Sequence, residues 1–273
     1  MSAPSSPPGV GPRAAAFFDL DKTIIAGSSV LAFSGPFRRH GLISRRAALR
    51  SAYTQLLLVA SGADATTMDV LRRRITALCT GWEVAKVRDI VATTLHEIVA
   101  PLVYAEATEL IAQHRAAGEE IVVLSASGAE VVEPIAALVA ADHAVSTRMT
   151  VHDGRYTGEI EFYCYGEAKA QAARELAAAR GYRLEDCRAY SDSVTDLPLL
   201  QVVGHPTVVN PDRALRREAL ARGWPVLTFA HPVPLSARFP PAATTAAAAG
   251  LGAIALVGAG WFSRRLRRGR SAP

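Results

Sequence analysis

The chain of 273 residues has few cysteines, no secretory signal and no internal repeat. Cys79, Cys164 and Cys187 lack the paired spacing of a metal site, so we expect buried thiols with a structural role in a reducing compartment. Residues 1–13 are rich in Pro, Ser and Gly and lack the apolar region of a signal peptide, which indicates a disordered leader. The absence of a repeat of about 20 to 50 residues excludes a solenoid.

Positive charge is concentrated at one end of the chain. The net charge is +5, and the basic tail 263–273 contains five arginines. Without this tail the chain is about neutral, so we expect no nucleic-acid partner. Smaller basic clusters occur at Arg38-Arg39-His40, Arg45-Arg46 and 72–74. They are typical of solvated surfaces, and the alternative is attraction to anionic substrates or an anionic membrane surface.

The longest uncharged stretch directly precedes the basic tail. Ala242 to Phe262 runs for 21 residues without a charge, enough for a helix to cross a bilayer. Because 13 of the 21 residues are Ala or Gly, a flexible tail or an ordinary helix is the alternative. Trp261 and the neighbouring arginines favour a membrane anchor. The arginines after the span favour a cytoplasmic C-terminus and an external catalytic domain, which is the alternative orientation. Because there is no export signal, we expect a cytoplasmic domain held at a membrane by a C-terminal hydrophobic helix.

Short apolar segments alternate with helical patterns along much of the chain. The helical patterns are Ala105–Ala117, Ala129–Val139 and Ala168–Arg180. The predicted strands are Ala15–Leu20, Ile121–Ser125, Ala144–Thr147, Arg188–Ser191, Thr207–Val209 and Val226–Phe229. This alternation is typical of βαβ units and predicts an α/β fold with a parallel sheet. Ligands of such sheets bind beyond the carboxyl ends of the strands.

Two segments interrupt the alternation. Residues 27–100 carry helical stripes and predict a helical insert after the first strand, placed as a lid. Thr150–Phe162 carries an Asp153-Gly154 turn between alternating segments, which predicts a β-hairpin. The core is therefore expected to comprise residues 14–26 and 101–235.

The pentapeptide Asp19-Leu20-Asp21-Lys22-Thr23 directly follows the first predicted strand. Because the chain turns just past the strand end, both carboxylates can converge on one small ligand. Taken alone, the pentapeptide fits equally well a polar turn with an aspartate as helix cap. The interpretation therefore depends on what lies at the other strand ends.

Polar residues follow two other predicted strands and begin one helix. Ser125 ends a strand, where its hydroxyl and the following N–H groups suit an anionic oxygen. Lys169 stands near a helix start, where a cation gains nothing from the helix dipole. Asp192 and Asp196 follow another strand, and Asp192 with Asp19 makes an oxygen site of the kind Mg²⁺ prefers. Together these signals are hard to explain as helix caps.

On these residues the chain resembles phosphatases of the haloacid dehalogenase (HAD) superfamily, in the subfamily IB branch that includes phosphoserine phosphatases. The resemblance covers about residues 14–229 and includes the signature D-x-D-x-T. It implies a Rossmann-like HAD core with a helical cap, here residues 27–100. It also implies a phosphomonoester hydrolase in which Asp19 is the nucleophile, forming an aspartyl-phosphate, and Asp21 is the general acid and then the base.

The resemblance also assigns the supporting residues. Ser125 and Lys169 would hold the phosphoryl oxygens. Mg²⁺ would be bound by the Asp19 carboxylate, the Asp21 main-chain carbonyl and Asp192. Two further residues would assist: Asp196, through a bridging water or as a support behind the ligands, and Thr23, as a support only.

The substrate is not specified by these motifs. Phosphoserine phosphatases carry an acid nine residues beyond the nucleophile to bind the substrate amine, and position 28 is serine here. A small-molecule or lipid-linked phosphomonoester is therefore the leading hypothesis. The alternatives are a phosphoserine phosphatase with an altered amine site and a catalytically silent phosphate-binding module. Lys22 has no assigned role, and Asn210-Pro211-Asp212 is interpreted as a helix cap with Pro211 at the first helical position.

Overall fold

The structure, a computed structural model, describes residues 14–43 and 76–232. Within these residues it contains one sheet of seven strands. The strands are β1 (Ala15–Asp19), β2 (Glu120–Gly128), β3 (His143–His152), β4 (Arg155–Phe162), β5 (Arg188–Ser191), β6 (His205–Val209) and β7 (Val226–Leu227). Their order across the sheet is β4-β3-β2-β1-β5-β6-β7. All neighbours are parallel except β3 and β4, so the expected α/β fold with a parallel sheet is confirmed.

Helices connect and cover the strands. They are α1 (Ser29–Ala32), α2 (Ser34–Arg39), α3 (Val84–Ile98), α4 (Ala105–Ala116), α5 (Ala129–Leu138), α6 (Glu167–Arg180), α7 (Leu197–Val202) and α8 (Arg213–Arg222). Short 3-10 turns lie at Ala100–Leu102, Leu184–Asp186 and Val194–Asp196. The three predicted helical patterns correspond to α4, α5 and α6, each within one residue at both ends.

Strand β1 lies at the centre of the sheet, between β2 and β5. In the register of these strands Asp19 is level with Leu124, and Phe18 is level with Tyr190. The chain segments that follow β1 and β5, together with Ser125, are therefore brought to one edge of the sheet. This edge is where ligands of parallel sheets bind.

The side chains of the central strand point alternately to the two faces of the sheet, and all of them are buried. Phe17 packs into a cluster with residues of α6, α7 and α8, whereas Phe18 packs on the opposite face with residues of α3, α4 and α5. Both phenylalanines are fully buried. Two hydrophobic layers thus hold β1 rigidly and fix the position of the aspartate that ends it.

The predicted helical insert is described in part. Helix α3 buries Val84, Val87, Ile90 and Val91 along one face, which agrees with the predicted stripe of apolar residues. These side chains belong to the same hydrophobic cluster as Phe18. This part of the insert is therefore continuous with the core on one face of the sheet.

The predicted β-hairpin is formed by β3 and β4, which pair antiparallel. Asp153 and Gly154 have φ values of 49° and 72° at the turn. Two successive positive φ values are required by the type I′ turn, which Asp-Gly sequences favour. The loop before α3 contacts this hairpin, since the N–H of Gly81 donates to the carbonyl of Tyr156 at 2.8 Å.

A helix cap at Asn210-Pro211-Asp212 is present, but its predicted position was wrong by two residues. Helix α8 begins at Arg213, and the side chain of Asp212 accepts a hydrogen bond from the N–H of Leu215 at 2.8 Å. Pro211 therefore precedes the cap instead of starting the helix. The other carboxylate oxygen of Asp212 accepts from the N–H of Val194 at 2.9 Å, which ties the cap to the segment after β5.

The three cysteines are free thiols. Cys164 and Cys187 are fully buried, and the sulfur of Cys187 accepts a hydrogen bond from the N–H of Ala15 at 3.4 Å. Burial raises the pKa of the Cys79 and Cys164 thiols to about 11, which keeps them protonated at neutral pH. These environments agree with the expected structural role.

Several predicted features lie outside the described residues. They are the leader 1–13, the clusters Arg45-Arg46 and 72–74, the hydrophobic segment Ala242–Phe262 and the basic tail 263–273. The chain divides into two units, Met1–Val233 and Pro234–Pro273, and no residue of the second is described. Across residues 14–43 and 76–232 no helix is both long enough and apolar enough to cross a membrane.

Candidate active site

A buried ion pair joins the end of β1 to the start of α6. The ammonium of Lys169, in the first turn of α6, donates to Oδ1 of Asp19 and to Oδ2 of Asp196, at 2.7 Å in each case. The lysine side chain is only 3% exposed. The structure thus brings together Asp19, Lys169 and Asp196, which are far apart in the sequence.

Hydroxyl groups complete the hydrogen bonding around this ion pair. Ser191, the last residue of β5, donates to Oδ2 of Asp196 at 2.7 Å. Thr23 donates to Oδ2 of Asp19 at 3.4 Å and is fully buried. Asp196 thus contacts Lys169, and Thr23 contacts Asp19. The roles that the resemblance implies for these two residues stay predictions.

The electrostatics of the ion pair hold Lys169 charged. Burial lowers the pKa of Lys169, but the carboxylates of Asp19 and Asp196 outweigh this effect and raise it above its ordinary value. Burial raises the pKa of Asp19 to about 8, and the ammonium of Lys169 opposes that shift. Repulsion from Asp196 and Asp192 adds to the rise, so negative charge is in excess at this point.

Asp21 occupies a different environment from Asp19. Its Oδ1 accepts a hydrogen bond from the N–H of Ser29 at 2.9 Å. The hydroxyl of Ser29 lies 2.8 Å from the hydroxyl of Ser127, in the segment that ends β2. Burial raises the pKa of Asp21, and the hydrogen bonds from Ser29 partly counteract the rise. A carboxyl group that is held in place with a raised pKa is suited to proton transfer.

Ser125 lies at the same edge of the sheet, one residue past the level of Asp19. It is 2% exposed, and its hydroxyl accepts a hydrogen bond from the N–H of Ser127 at 3.2 Å. The register between β2 and β3 shifts between Ser125 and Gly128. Irregular strand ends of this kind can present backbone N–H groups to an anion.

Asp192 follows β5 directly and is buried. Burial raises its pKa to about 7, the charge of Lys22 opposes the rise, and repulsion from Asp196 adds to it. The ammonium of Lys22 lies 3.9 Å from Oδ2 of Asp192. The main-chain carbonyl of Asp192 accepts from the N–H of Asp212 at 2.8 Å, which fixes the backbone at this point.

The donor set fits a magnesium ion. Asp19 and Asp192 are buried carboxylates with raised pKa values, and each is repelled by Asp196. A divalent cation would offset this excess of negative charge, and carboxylate and carbonyl oxygens are its preferred ligands. Within the described residues no cluster of three or more His, Cys, Asp or Glu side chains is arranged to hold a metal. The predicted set uses two carboxylates and a main-chain carbonyl.

Three serines at this site were missed by the sequence reasoning. Ser29, Ser127 and Ser191 are all buried, and each contacts another polar group of the site. Ser191 directly precedes the predicted site residue Asp192, and Ser127 lies two residues after Ser125. This proximity in the sequence was an available signal. Ser29 follows the predicted lid boundary by only two residues, so its contact with Asp21 had no clear signal in the sequence.

Comparison with known proteins places the chain in a family. Residues 16–201 match the family model of the haloacid dehalogenase-like hydrolases, which is well over half of the chain. The chain belongs to this family of hydrolases, as the D-x-D-x-T signature predicted.

Individual relatives agree with this assignment. A probable phosphatase of Mycobacterium tuberculosis is 60% identical over 261 residues, which are 93% of this chain and 91% of the relative. A phosphoserine phosphatase of the same organism is 33% identical over 225 residues, 81% of this chain and 73% of the relative. A solved structure from Bordetella pertussis, of unknown function, has a TM-score of 0.69 and 28% identity, covering 79% of this chain and 98% of its own.

Proposed function

We propose that the protein is a Mg²⁺-dependent phosphomonoester hydrolase that acts through an aspartyl-phosphate on Asp19. The observation that carries the proposal is the ion pair at the carboxyl edge of the sheet, in which the Lys169 ammonium lies 2.7 Å from Oδ1 of Asp19. The similarity to a probable phosphatase at 60% identity supports the same reaction class.

The two signature aspartates have distinct roles in this mechanism. Asp19 attacks phosphorus, the bond to the leaving oxygen breaks, and a phosphoryl group is left on the carboxylate. Asp21 donates its proton to the leaving alkoxide and then accepts one from the water that hydrolyses the intermediate. The raised pKa of Asp21 and its hydrogen bond from Ser29 suit this exchange.

Positive charge is needed because a phosphate dianion repels a carboxylate nucleophile. Lys169 supplies one charge at Asp19, and Ser125 with the N–H groups after it would hold a phosphoryl oxygen. A magnesium ion held by Asp19, Asp192 and the main-chain carbonyl of Asp21 would supply further charge neutralisation at the transferred group. Asp196 keeps Lys169 oriented toward Asp19.

The substrate class is a small or lipid-linked phosphomonoester. Ser28 stands where phosphoserine phosphatases carry the acid for the substrate amine, and it caps the short helix α1. A phosphoserine phosphatase with an altered amine site is the second candidate, supported by the relative of that name at 33% identity.

The membrane anchor at Ala242–Phe262 stays a prediction. If it is correct, the protein fractionates with membranes. Deletion of the chain after Ser236 then releases it into the soluble fraction. A full-length chain that is already wholly soluble would overturn the anchor.

The reaction is tested with a chromogenic phosphomonoester, with Mg²⁺ and with the metal removed by a chelator. We expect turnover only with the metal. The Asp21→Asn variant should lose about 10² to 10⁴ in kcat while it still accumulates a phosphoryl group on Asp19, detectable by mass spectrometry after acid quenching. Absence of turnover on every phosphomonoester, with binding of phosphate retained, would favour the silent binding module.

A further inference from the structure

Lys22 lies inside the signature of the site and takes no part in the chemistry proposed above. Its backbone has φ 61°, in the left-handed region. A residue with a Cβ is disfavoured there, and glycine or asparagine is usual. Outliers of this kind concentrate at functional sites. The side chain at this position therefore requires an explanation.

The ammonium of Lys22 lies at the mouth of the site. It is 3.9 Å from Oδ2 of Asp192, and the side chain is 68% exposed. Its charge acts on Asp21 as well as on Asp192. Lys22 is therefore placed near both the proton-transfer group and the carboxylate proposed to bind metal, on the side open to solvent.

The chain has three lysines, and they differ in what they contact. Lys169 is buried and bound by two carboxylates. Lys86 is exposed on α3, and no ion pair of its side chain is found among the described residues. The contact of Lys22 with Asp192 is long and exposed, and ion pairs of this kind are weak. The ammonium of Lys22 can therefore turn to a bound ligand at little cost.

We propose that Lys22 binds a second negative charge in the alcohol part of the substrate. The enzyme then prefers phosphomonoesters whose leaving group carries a carboxylate or a phosphate close to the ester oxygen. This inference rests on the proposed function. Ser28, at the position of the amine-binding acid, bears no charge, so these two positions favour an anionic group over a cationic one.

The second anion is expected within a few bonds of the ester oxygen. Asp21, which protonates that oxygen in the proposed mechanism, is the neighbour of Lys22 in the chain. A carboxylate two carbons from the phosphate oxygen matches this requirement. 2-Phosphoglycolate is such a compound. 2-Hydroxyethyl phosphate has the same chain length, but its leaving group is uncharged.

The test compares kcat/KM for these two compounds in Mg²⁺. The variants are Lys22→Gly, which removes the charge and suits the left-handed backbone, Lys22→Arg, which keeps the charge, and Lys86→Gln, which removes an exposed lysine outside the signature as the control. We expect kcat/KM for phosphoglycolate, divided by kcat/KM for hydroxyethyl phosphate, to fall about tenfold in Lys22→Gly, because one charged contact is lost. The ratio should change less than about threefold in Lys22→Arg and Lys86→Gln.

Binding provides a readout that does not depend on turnover. In an Asp19→Asn background, calorimetry should show that adding Lys22→Gly weakens phosphoglycolate about tenfold and hydroxyethyl phosphate much less. An unchanged ratio, or an equal loss for both compounds, overturns the proposal for Lys22. Turnover of both compounds by the unmodified enzyme with an unchanged ratio would leave the phosphatase proposal intact. Absence of turnover on the chromogenic ester and on both of these compounds would count against the phosphatase, and the binding comparison would still decide the role of Lys22.

A further arm distinguishes the two sources of such a substrate. Phosphatidylglycerol phosphate in vesicles carries a phosphodiester anion besides its monoester, as a lipid headgroup does. Higher kcat/KM for the vesicles than for phosphoglycolate assigns a lipid substrate, and the reverse assigns a soluble one. The preferred substrate should show the larger loss of kcat/KM in Lys22→Gly. If kcat/KM for both substrates is unchanged in this variant, the proposal is overturned.

Discussion

Buried and partly buried polar side chains gather near both ends of the central strands, but their charges are balanced at only one end. The amino-end cluster comprises His114 of α4, Glu119 before β2, and Arg188 and Tyr190 of β5. Glu119 accepts from Arg188 with one oxygen and lies 2.6 Å from Nδ1 of His114 with the other. Nε2 of His114 lies 2.8 Å from the hydroxyl of Tyr190, which stacks on Phe18.

The amino-end cluster is satisfied as it stands. One carboxylate faces one guanidinium, and a neutral His114 suits both of its contacts, donating to Glu119 and accepting from Tyr190. Burial raises the pKa of Tyr190 to about 12, so its hydroxyl stays protonated and can donate. Fully paired groups of this kind stabilise a fold without inviting a ligand.

The carboxyl end of the same strands has the opposite character. Asp19, Asp192 and Asp196 are buried there, and Lys169 is the one buried cation that the described residues place among them. Burial raises the pKa of Asp19 and of Asp192, and the nearby lysines do not offset this rise. The difference supports the proposal that a cation binds at the carboxyl end, whereas the paired groups of the amino end stabilise the fold.

The largest effect is expected at the carboxyl end from Asp19→Asn. The amide has the shape of the carboxylate but cannot act as the nucleophile, so turnover should fall by more than about a thousandfold. The amino-end cluster should be untouched, and circular dichroism should show an unchanged fold. Turnover within tenfold of the original would contradict the assignment of Asp19.

Lys169→Met should damage both stability and activity. Removing the cation leaves Asp19 and Asp196 buried beside each other, which should lower the free energy of unfolding by about 3 to 5 kcal/mol. Urea denaturation measures this loss. Adding Asp196→Asn should restore part of the stability and none of the activity, because one buried charge is removed while Asp19 still lacks its cation. Full recovery of activity would show that Lys169 acts only in folding.

At the amino end, His114→Gln should change the pH dependence of stability and leave activity nearly intact. Burial lowers the pKa of His114 below 6.5, and Glu119 only partly opposes this. Below pH 6.5 the unfolded chain therefore binds a proton that the folded protein excludes, so stability is lost as the pH falls through the folded pKa. The slope is at most about 1.4 kcal/mol per pH unit for one proton.

The variant should lose this contribution to the slope. Thermal or urea denaturation from pH 7.5 to pH 5 measures it, with an unaltered slope counting against a neutral His114. Activity at pH 7.5 serves as the control, because the amino-end cluster takes no part in the proposed chemistry.

The smallest effect is expected from Ser29→Ala. The variant keeps the backbone N–H that donates to Asp21 and loses the hydroxyl, which contacts Ser127 and also lowers the pKa of Asp21. The free energy of unfolding should fall by about 1 kcal/mol, and kcat by less than tenfold. Ser127→Ala is the matched variant, and the double variant should cost less than the sum, since both remove one contact. Additive losses would mean that the two hydroxyls act independently.

The sequence reasoning succeeded where a local pattern carries the information. Short apolar runs located all six predicted strands, and the Asp153-Gly154 pair located the hairpin turn. It did less well at element ends, where caps are set by neighbours. The prediction put Pro211 at the first position of α8, whereas Asp212 caps the helix. The other carboxylate oxygen of Asp212 accepts from the N–H of Val194, a contact between distant segments that the local sequence does not reveal.

The signature, Ser125 and Asp192 could be found from the sequence because each lies at the end of an apolar run that must be a buried strand, and parallel strands end at one edge. Lys169 was found from its place near a helix start and from the family resemblance. The chain order of Asp19, Ser125, Lys169 and Asp192 thus predicted a phosphate-handling site before any distance was known. Which groups touch depends on packing between segments far apart in the chain. The pairing of Lys169 with both Asp19 and Asp196, the hold of Ser29 on Asp21, and the position of Lys22 at the open side of Asp192 required the folded structure. The physical reason is that strand periodicity is local, whereas the burial and neighbours of a charge are set only when distant elements pack together.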